Sequence, residues 1–166
     1  MNLELLLSEA LKICSVHADR LKLGLRKTAH LFPFTHHTIM NISDDDFVYV
    51  ELLISRLGKL QDTLGEKVFT LILTLLGETV TNKSFIDKLN KLEKLEILPS
   101  AQWWQELRQL RNILTHEYPD NPLFIAENLN KAIVQAAALL YFWENLQLYV
   151  NSMNFKNPLN PNENSL

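Results

Sequence analysis

The stretch RNILTHEYP brings together a guanidinium, an imidazole and a phenol, at Arg111, His116 and Tyr118. Arginine presents a planar fork of hydrogen-bond donors to phosphate oxygens, and histidine, with an unperturbed pKa of about 6.5, suits proton transfer near neutral pH. In RNA cleavage a general base takes the proton of the 2′-hydroxyl, and a cation stabilises the charge that develops on the phosphoryl oxygens. These residue types therefore fit cleavage of a phosphodiester, a chemistry that requires neither a metal ion nor another cofactor.

The three side chains lie at the end of a predicted helix, which Pro119 cannot continue. At about 100° per residue, Asn112 and His116 share one face, whereas Arg111 points about 140° away from His116 and lines up with Arg108. Taken alone, an arginine and a histidine at this spacing are also typical of a solvated helix end, where a protonated histidine interacts with the helix dipole.

Composition narrows the class of protein. With 166 residues, 47% of them hydrophobic, the chain fits one domain with one core, which we assign to residues 1–150, followed by a flexible Asn- and Pro-rich tail at 151–166. A formal net charge of −3 argues against a broad basic surface for nucleic acid, so any phosphate site must be local, and DNA is not an expected ligand.

The setting is predicted to be cytoplasmic. Cys14 is the single cysteine, so one chain cannot form a disulfide, and a reduced compartment is the simplest interpretation. The N-terminus lacks the basic start of a secretory signal. The apolar runs at 68–76 and 132–143 are shorter than the ~20 residues of a membrane span, so no membrane association is expected.

Apolar residues recur at helical spacing in five segments, which predicts an all-α, antiparallel bundle of about five helices. Helix starts and stops follow from local chemistry: a Ser43 cap, a Gly77 stop, a capping box from Ser84 to Asp87, and an Asn121–Pro122 start. The segments are 2–23, 43–76, 84–95, 100 to about 116–118, and 121–150, with a loop or short irregular helix at 24–43.

Two features predict how these helices pack. Gly58 and Gly65 lie inside the second helix, where each costs about 1 kcal/mol relative to alanine, and this indicates a backbone-to-backbone contact with another helix. The next-to-last helix carries a predicted buried stripe of Trp103, Leu107, Leu110 and Leu114.

Three other groups of residues have a chemical and a structural interpretation. His30, His36 and His37 suggest zinc ligation, but adjacent histidines without regularly spaced partners are more often loop residues, so no metal site is predicted. The acidic run 44–46 is interpreted as a helix start. The aromatic residues suit base stacking, but at helical spacing they are more often core, and Trp103 and Trp143 are expected to be buried: Trp103, Trp104, Tyr141, Phe142 and Trp143.

RNILTHEY resembles the R-x4-H-x-Y motif of the HEPN superfamily, in particular the ribonuclease toxins paired with a small nucleotidyltransferase antitoxin. The likeness extends upstream through SRLGKLQDTLGEKVF, IDKLNKLEKLEIL and WWQELRQLRNILTHEYPDNP, and covers roughly residues 45 to 130.

The resemblance implies an HEPN-like bundle in which Arg111 and His116 are the catalytic pair and Asn112 organises the site. It implies that Tyr118 is modified with AMP by the nucleotidyltransferase antitoxin, which silences the toxin. It also implies a homodimer in which both copies of the motif face one cleft, so that a second chain supplies the side that one helix cannot.

Residues of the second long helix match a recurring pattern of the same group, at Arg56, Gln61 and Asp62. A carboxylate or amide there would orient the motif arginine, and a pairing of Asp62 with Arg108 or Arg111 could equally be structural. The expected function is a metal-independent endoribonuclease toxin that acts on RNA. The alternative is a non-catalytic HEPN subunit that binds substrate or nucleotide for a partner nucleotidyltransferase.

Overall fold

The part of the chain that the structure describes is mainly helical. The computed structural model describes residues 2–116 and 120–153, and these contain no β-strand. An all-α helical bundle is therefore confirmed. Its helices are α1 (Leu3–Thr28), α2 (His36–Met40), α3 (Asp44–Thr63), α4 (Phe69–Leu75), α5 (Phe85–Lys94), α6 (Ala101–Thr115) and α7 (Pro122–Ser152).

The first predicted helix corresponds to α1, and the second corresponds to α3 and α4, which form one continuous rod. The remaining three predicted helices correspond to α5, α6 and α7. A π-helical turn, Leu64–Val68, joins α3 to α4, and Gly77, with a φ of +78°, follows the end of this rod as predicted. The segment 24–43, predicted as a loop or a short irregular helix, holds the last turn of α1, a 3-10 turn at Ala29–Leu31 and the short helix α2.

The interhelical contacts of the glycines differ from the prediction. A Cβ added at Gly24 would lie 3.1 Å from the Leu53 backbone, so the close backbone contact is between α1 and α3 and involves Gly24. A Cβ at Gly58 or Gly65 would instead meet side chains, those of Arg111 at 3.3 Å and of Phe85 at 3.3 Å respectively. The expected backbone-to-backbone contact at Gly58 and Gly65 was wrong, because these glycines make room for large side chains.

The buried stripe of α6 contains Trp104, and not the predicted Trp103. Trp104 is fully buried and lies 4.7 Å from the ring of Phe69, whereas Trp103 is only half-buried. The Trp103 indole N–H donates to Gln135 Oε1 of α7 at 2.7 Å, so its polar edge is satisfied at the rim of the core. The expected burial of Trp143 is confirmed.

The connection before α3 is fastened to α7. Asn130 accepts the Phe34 N–H with Oδ1 at 2.7 Å and donates to the Phe34 carbonyl with Nδ2 at 2.9 Å. Phe34 thereby joins a second, smaller apolar cluster with Val50, Ala126 and Leu129. This clip places the N-terminal end of α3 beside the start of α7, the helix that follows the RNILTHEYP stretch.

Among the described residues, α7 is the helix that is long and apolar enough to cross a membrane by length and composition, with a mean hydropathy of 1.2. In the 18-residue window of α7 that has this mean hydropathy, 39% of the residues are buried inside the bundle. Leu139, Leu140 and Trp143 are residues that α7 contributes to the core. Part of its apolar character is thus used for packing, and the absence of a membrane span stays a prediction.

Candidate functional site

The site is built where α6 crosses α3. Ser100 caps α6 by accepting the Trp103 N–H at 3.1 Å, and the buried residues Trp104, Leu107 and Leu110 fix the rotation of the helix against the core. Arg111 consequently faces α3, and its aliphatic stem lies over Gly58. The absence of a side chain at Gly58 is what lets this arginine lie along the helix surface.

Arg111 is held by two neighbouring groups. Its Nη2 pairs with the Asp62 carboxylate one turn further along α3, and its Nη1 donates to Asn112 Oδ1 at 3.2 Å. The Arg111 and Asp62 side chains are 33% and 38% exposed, so the guanidinium is oriented by the protein and still reaches solvent. The expected contact of Asp62 with the motif arginine is present, and Asn112 contacts it too.

His116 lies just beyond the end of α6. It is the C-cap residue, with φ −91° and ψ 145°, and its backbone N–H donates to the Ile113 carbonyl at 3.2 Å. The imidazole is exposed and forms no hydrogen bond or ion pair with another described residue, Arg111 included. Within one chain the two motif residues therefore do not form a joined pair. Tyr118 lies outside the described residues.

Arg108 takes a different partner from Arg111. Its guanidinium carbon lies 4.6 Å from the centre of the Phe85 ring at the start of α5, and Asp62 pairs with Arg111 alone among the described residues. The side chain of Arg108 is exposed. Arg108 thus lies at the same α6 surface as Arg111 without sharing its carboxylate.

Arg56 faces away from the motif. Residues 56 and 58 of a helix point about 160° apart, and Arg56 lies against α1, where its Nη1 donates to His17 Nδ1 at 2.9 Å. Burial lowers the pKa of His17, and so do the positive charges of Arg56, Lys59 and Arg20. His17 is therefore a neutral acceptor at neutral pH, and Arg56, expected among the residues that support the site, contacts His17 and not Arg111.

Gln61 lies between α3 and α6, where it contacts the backbone of α6 and not the motif. It is 1% exposed, and its Nε2 donates to the Trp104 carbonyl at 3.4 Å, while its Oε1 is buried without a hydrogen-bond partner in the described part of the chain. Of the three α3 residues expected to support the site, the structure brings only Asp62 to Arg111.

Two contacts made by the predicted site residues were missed from the sequence. His17 lies on the apolar stripe of α1 three residues after Cys14, a spacing that marks an inward position but gives no sign of Arg56 as its partner. Gly58 was recognised as unusual, but its contact with Arg111, 53 residues further along the chain, has no local signal.

The other histidines do not gather into a metal site. His30 lies 3.0 Å from Asp46, and His37 Nδ1 lies 3.2 Å from Asn41 Nδ2. Within residues 2–116 and 120–153, no group of three or more potential ligands from His, Cys, Asp and Glu is placed to hold a metal ion. Ser43 accepts the Asp46 N–H at 3.1 Å, so the acidic run begins α3 as predicted.

Comparisons of this chain with protein-family models, with curated proteins and with solved structures found no match.

The His17–Arg56 pair predicts a pH dependence of stability. Because the pKa of His17 is lowered in the folded chain, the unfolded chain binds more protons as pH falls below about 6.5, and the free energy of unfolding should decrease there. His17→Asn keeps an acceptor for Arg56 but cannot titrate, so it should lose less stability between about pH 7.5 and about pH 5. Urea unfolding across this range measures the difference, with His36→Asn, at an exposed histidine, as control. An unchanged loss in His17→Asn would contradict the coupling.

Proposed function

We propose that this protein is a metal-independent endoribonuclease of the HEPN class, the toxin of a toxin–antitoxin pair that acts in the cytoplasm. The observation that carries the proposal is the presentation of Arg111. The guanidinium lies over Gly58, is oriented by Asp62 and Asn112, and remains one-third exposed near the end of the helix that leads to His116. A cation prepared in this way suits a phosphate oxygen.

The chemistry follows from the residue types. A general base takes the proton of the 2′-hydroxyl, the 2′-oxygen attacks the adjacent phosphorus, and the P–O5′ bond breaks as the 5′-oxygen takes up a proton. Arg111 stabilises the charge on the phosphoryl oxygens, and His116 transfers the protons. The need for a 2′-hydroxyl restricts the substrate to RNA.

The site is proposed to be completed by a second copy of the chain. The exposed His116 of one protomer has no described partner within its own chain, and Arg111 is turned towards α3. A homodimer that places two motifs around one cleft would bring Arg111 of one chain to His116 of the other.

A second candidate function is a non-catalytic subunit that binds substrate or nucleotide for a partner nucleotidyltransferase. The pairing of Arg111 with Asp62 favours this alternative, because the carboxylate already neutralises the charge of the guanidinium. Such a protein would bind the transferase but leave RNA intact.

The substitution His116→Ala separates these functions. We expect the variant to lose RNA cleavage and growth inhibition, by about 100-fold or more, because general acid–base catalysis contributes about 10²–10⁴-fold. Its helical circular dichroism and melting temperature should remain unchanged, since His116 is exposed. Cleavage by the unaltered protein should persist in EDTA, because the proposed chemistry uses no metal ion.

His36→Ala is the matched control, because it removes an exposed histidine from α2 and should cleave like the unaltered protein. A folded His116→Ala protein that still cleaves RNA would contradict the catalytic assignment. An unaltered protein that cuts no RNA yet forms a stable complex with the transferase would favour the binding subunit.

Silencing is proposed to act through Tyr118, two residues after His116 in the sequence. Transfer of AMP from ATP to the phenol oxygen, with release of pyrophosphate, would place a phosphate near the motif, where it pairs with Arg111 and blocks RNA. After incubation with the partner and ATP, mass spectrometry should show one or more AMP units on a peptide that contains Tyr118, and Tyr118→Phe should stay unmodified. Tyr149→Phe is the control, and AMP confined to another residue would reject the assignment.

A further inference from the structure

The Arg108–Phe85 pair is an exposed cation held against an aromatic ring close to Arg111. The Arg108 guanidinium carbon lies 4.6 Å from the centre of the Phe85 ring. Phe85 is itself fixed in place: it is the first residue of α5, whose start is set by a reciprocal capping box between Ser84 and Asp87. Its ring also lies in van der Waals range of the Cβ position of Gly65.

Among the described residues, Arg108 forms no ion pair with an acid, and the carboxylate of Asp62 pairs with Arg111. The aromatic ring, which is a weak partner for an arginine compared with a carboxylate, therefore orients the guanidinium but leaves its donors and its outer surface free.

Arg108 also stands at a useful distance from the proposed reaction centre. It precedes Arg111 by three residues on the same helix, which corresponds to a rise of about 4.5 Å and a rotation of about 60°. A strand whose phosphate contacts Arg111 would bring a neighbouring nucleotide to Arg108.

We propose that Arg108, backed by Phe85, is a stacking platform for the base of the nucleotide next to the cleaved phosphate. Single-stranded RNA is commonly recognised by stacking of unpaired bases on arginine planes and aromatic rings, and this contact tolerates different bases because each has a π face. The proposed substrate is accordingly an unpaired segment of RNA. This assignment rests on the proposed function for the identity of the neighbouring site, but binding tests it independently of cleavage.

The binding arm uses the His116→Ala protein, so that the probe is not cut. Fluorescence polarisation compares a short single-stranded RNA with the same RNA lacking bases at successive positions. Loss of the stacked base should weaken binding by roughly tenfold to a hundredfold. Adding Arg108→Ala should weaken binding of the intact RNA and remove the difference between intact and abasic probes.

Arg108→Lys separates stacking from charge, because it keeps the cation but lacks the planar guanidinium. It should bind intact RNA better than Arg108→Ala, yet still fail to distinguish the abasic probe. Arg26→Ala, at an exposed arginine of α1, should preserve the discrimination. The melting temperatures of the Arg108 variants are compared with that of the parent His116→Ala protein. Equal values show that Arg108 is not needed to pack α5 onto α6.

The cleavage arm repeats the comparison with the protein that carries His116, and the abasic position next to the cut should raise KM more than it lowers kcat. Base discrimination that survives Arg108→Ala, or the absence of RNA binding, would overturn the platform. Arg108-dependent discrimination in a protein that never cleaves RNA would uphold the platform and reject the proposed nuclease.

Discussion

The arrangement of the site depends on one contact, the packing of Arg111 over Gly58 with its guanidinium turned to Asp62. A glycine inside a helix costs about 1 kcal/mol relative to alanine, whereas a partly exposed ion pair contributes between zero and about 1 kcal/mol. The ion pair thus does no more than offset the glycine. Stability of the fold is supplied by the buried leucines and by Trp104, so the Gly58–Arg111–Asp62 contact is better explained by orientation of the guanidinium than by stability.

Three arginines near α3 and α6 have three different partners. Arg56 donates to the neutral His17 on the α1 side, Arg108 lies over Phe85, and Arg111 pairs with Asp62. Each partner leaves the cation in a different state: Arg56 is engaged between helices, Arg111 is oriented but shared with a carboxylate, and Arg108 is oriented but not neutralised. This difference supports the roles proposed for the two exposed arginines, Arg111 at a developing charge and Arg108 under a base.

Features set by local chemistry were predicted from the sequence. The caps at Ser43, Ser84 and Asn121 and the stop at Gly77 depend on residues within a few positions, and each is found in the structure. Helical spacing likewise predicted the all-α bundle.

Features that depend on contacts between helices were predicted less accurately. Trp104, and not the predicted Trp103, is the fully buried tryptophan of α6. The two residues are adjacent in the sequence, and the side of α6 that faces the core is wide enough to include both. The direction of Arg56 depends on where α1 packs, and the role of Gly58 depends on a side chain of another helix. Within the site, the sequence predicted the identity of the motif residues and the contact of Asp62 but could not separate Asp62 from Arg56 and Gln61.

The most direct test of the central claim, that Arg111 and His116 of two chains form one catalytic site, is to mix the Arg111→Ala and His116→Ala proteins. Each should be inactive alone. After exchange of subunits, mixed dimers hold an intact Arg111 on one chain and an intact His116 on the other, so about one-quarter of the unaltered cleavage rate should return. Mixed dimers, verified by two affinity tags, that cleave no RNA although the unaltered protein does would contradict the shared site.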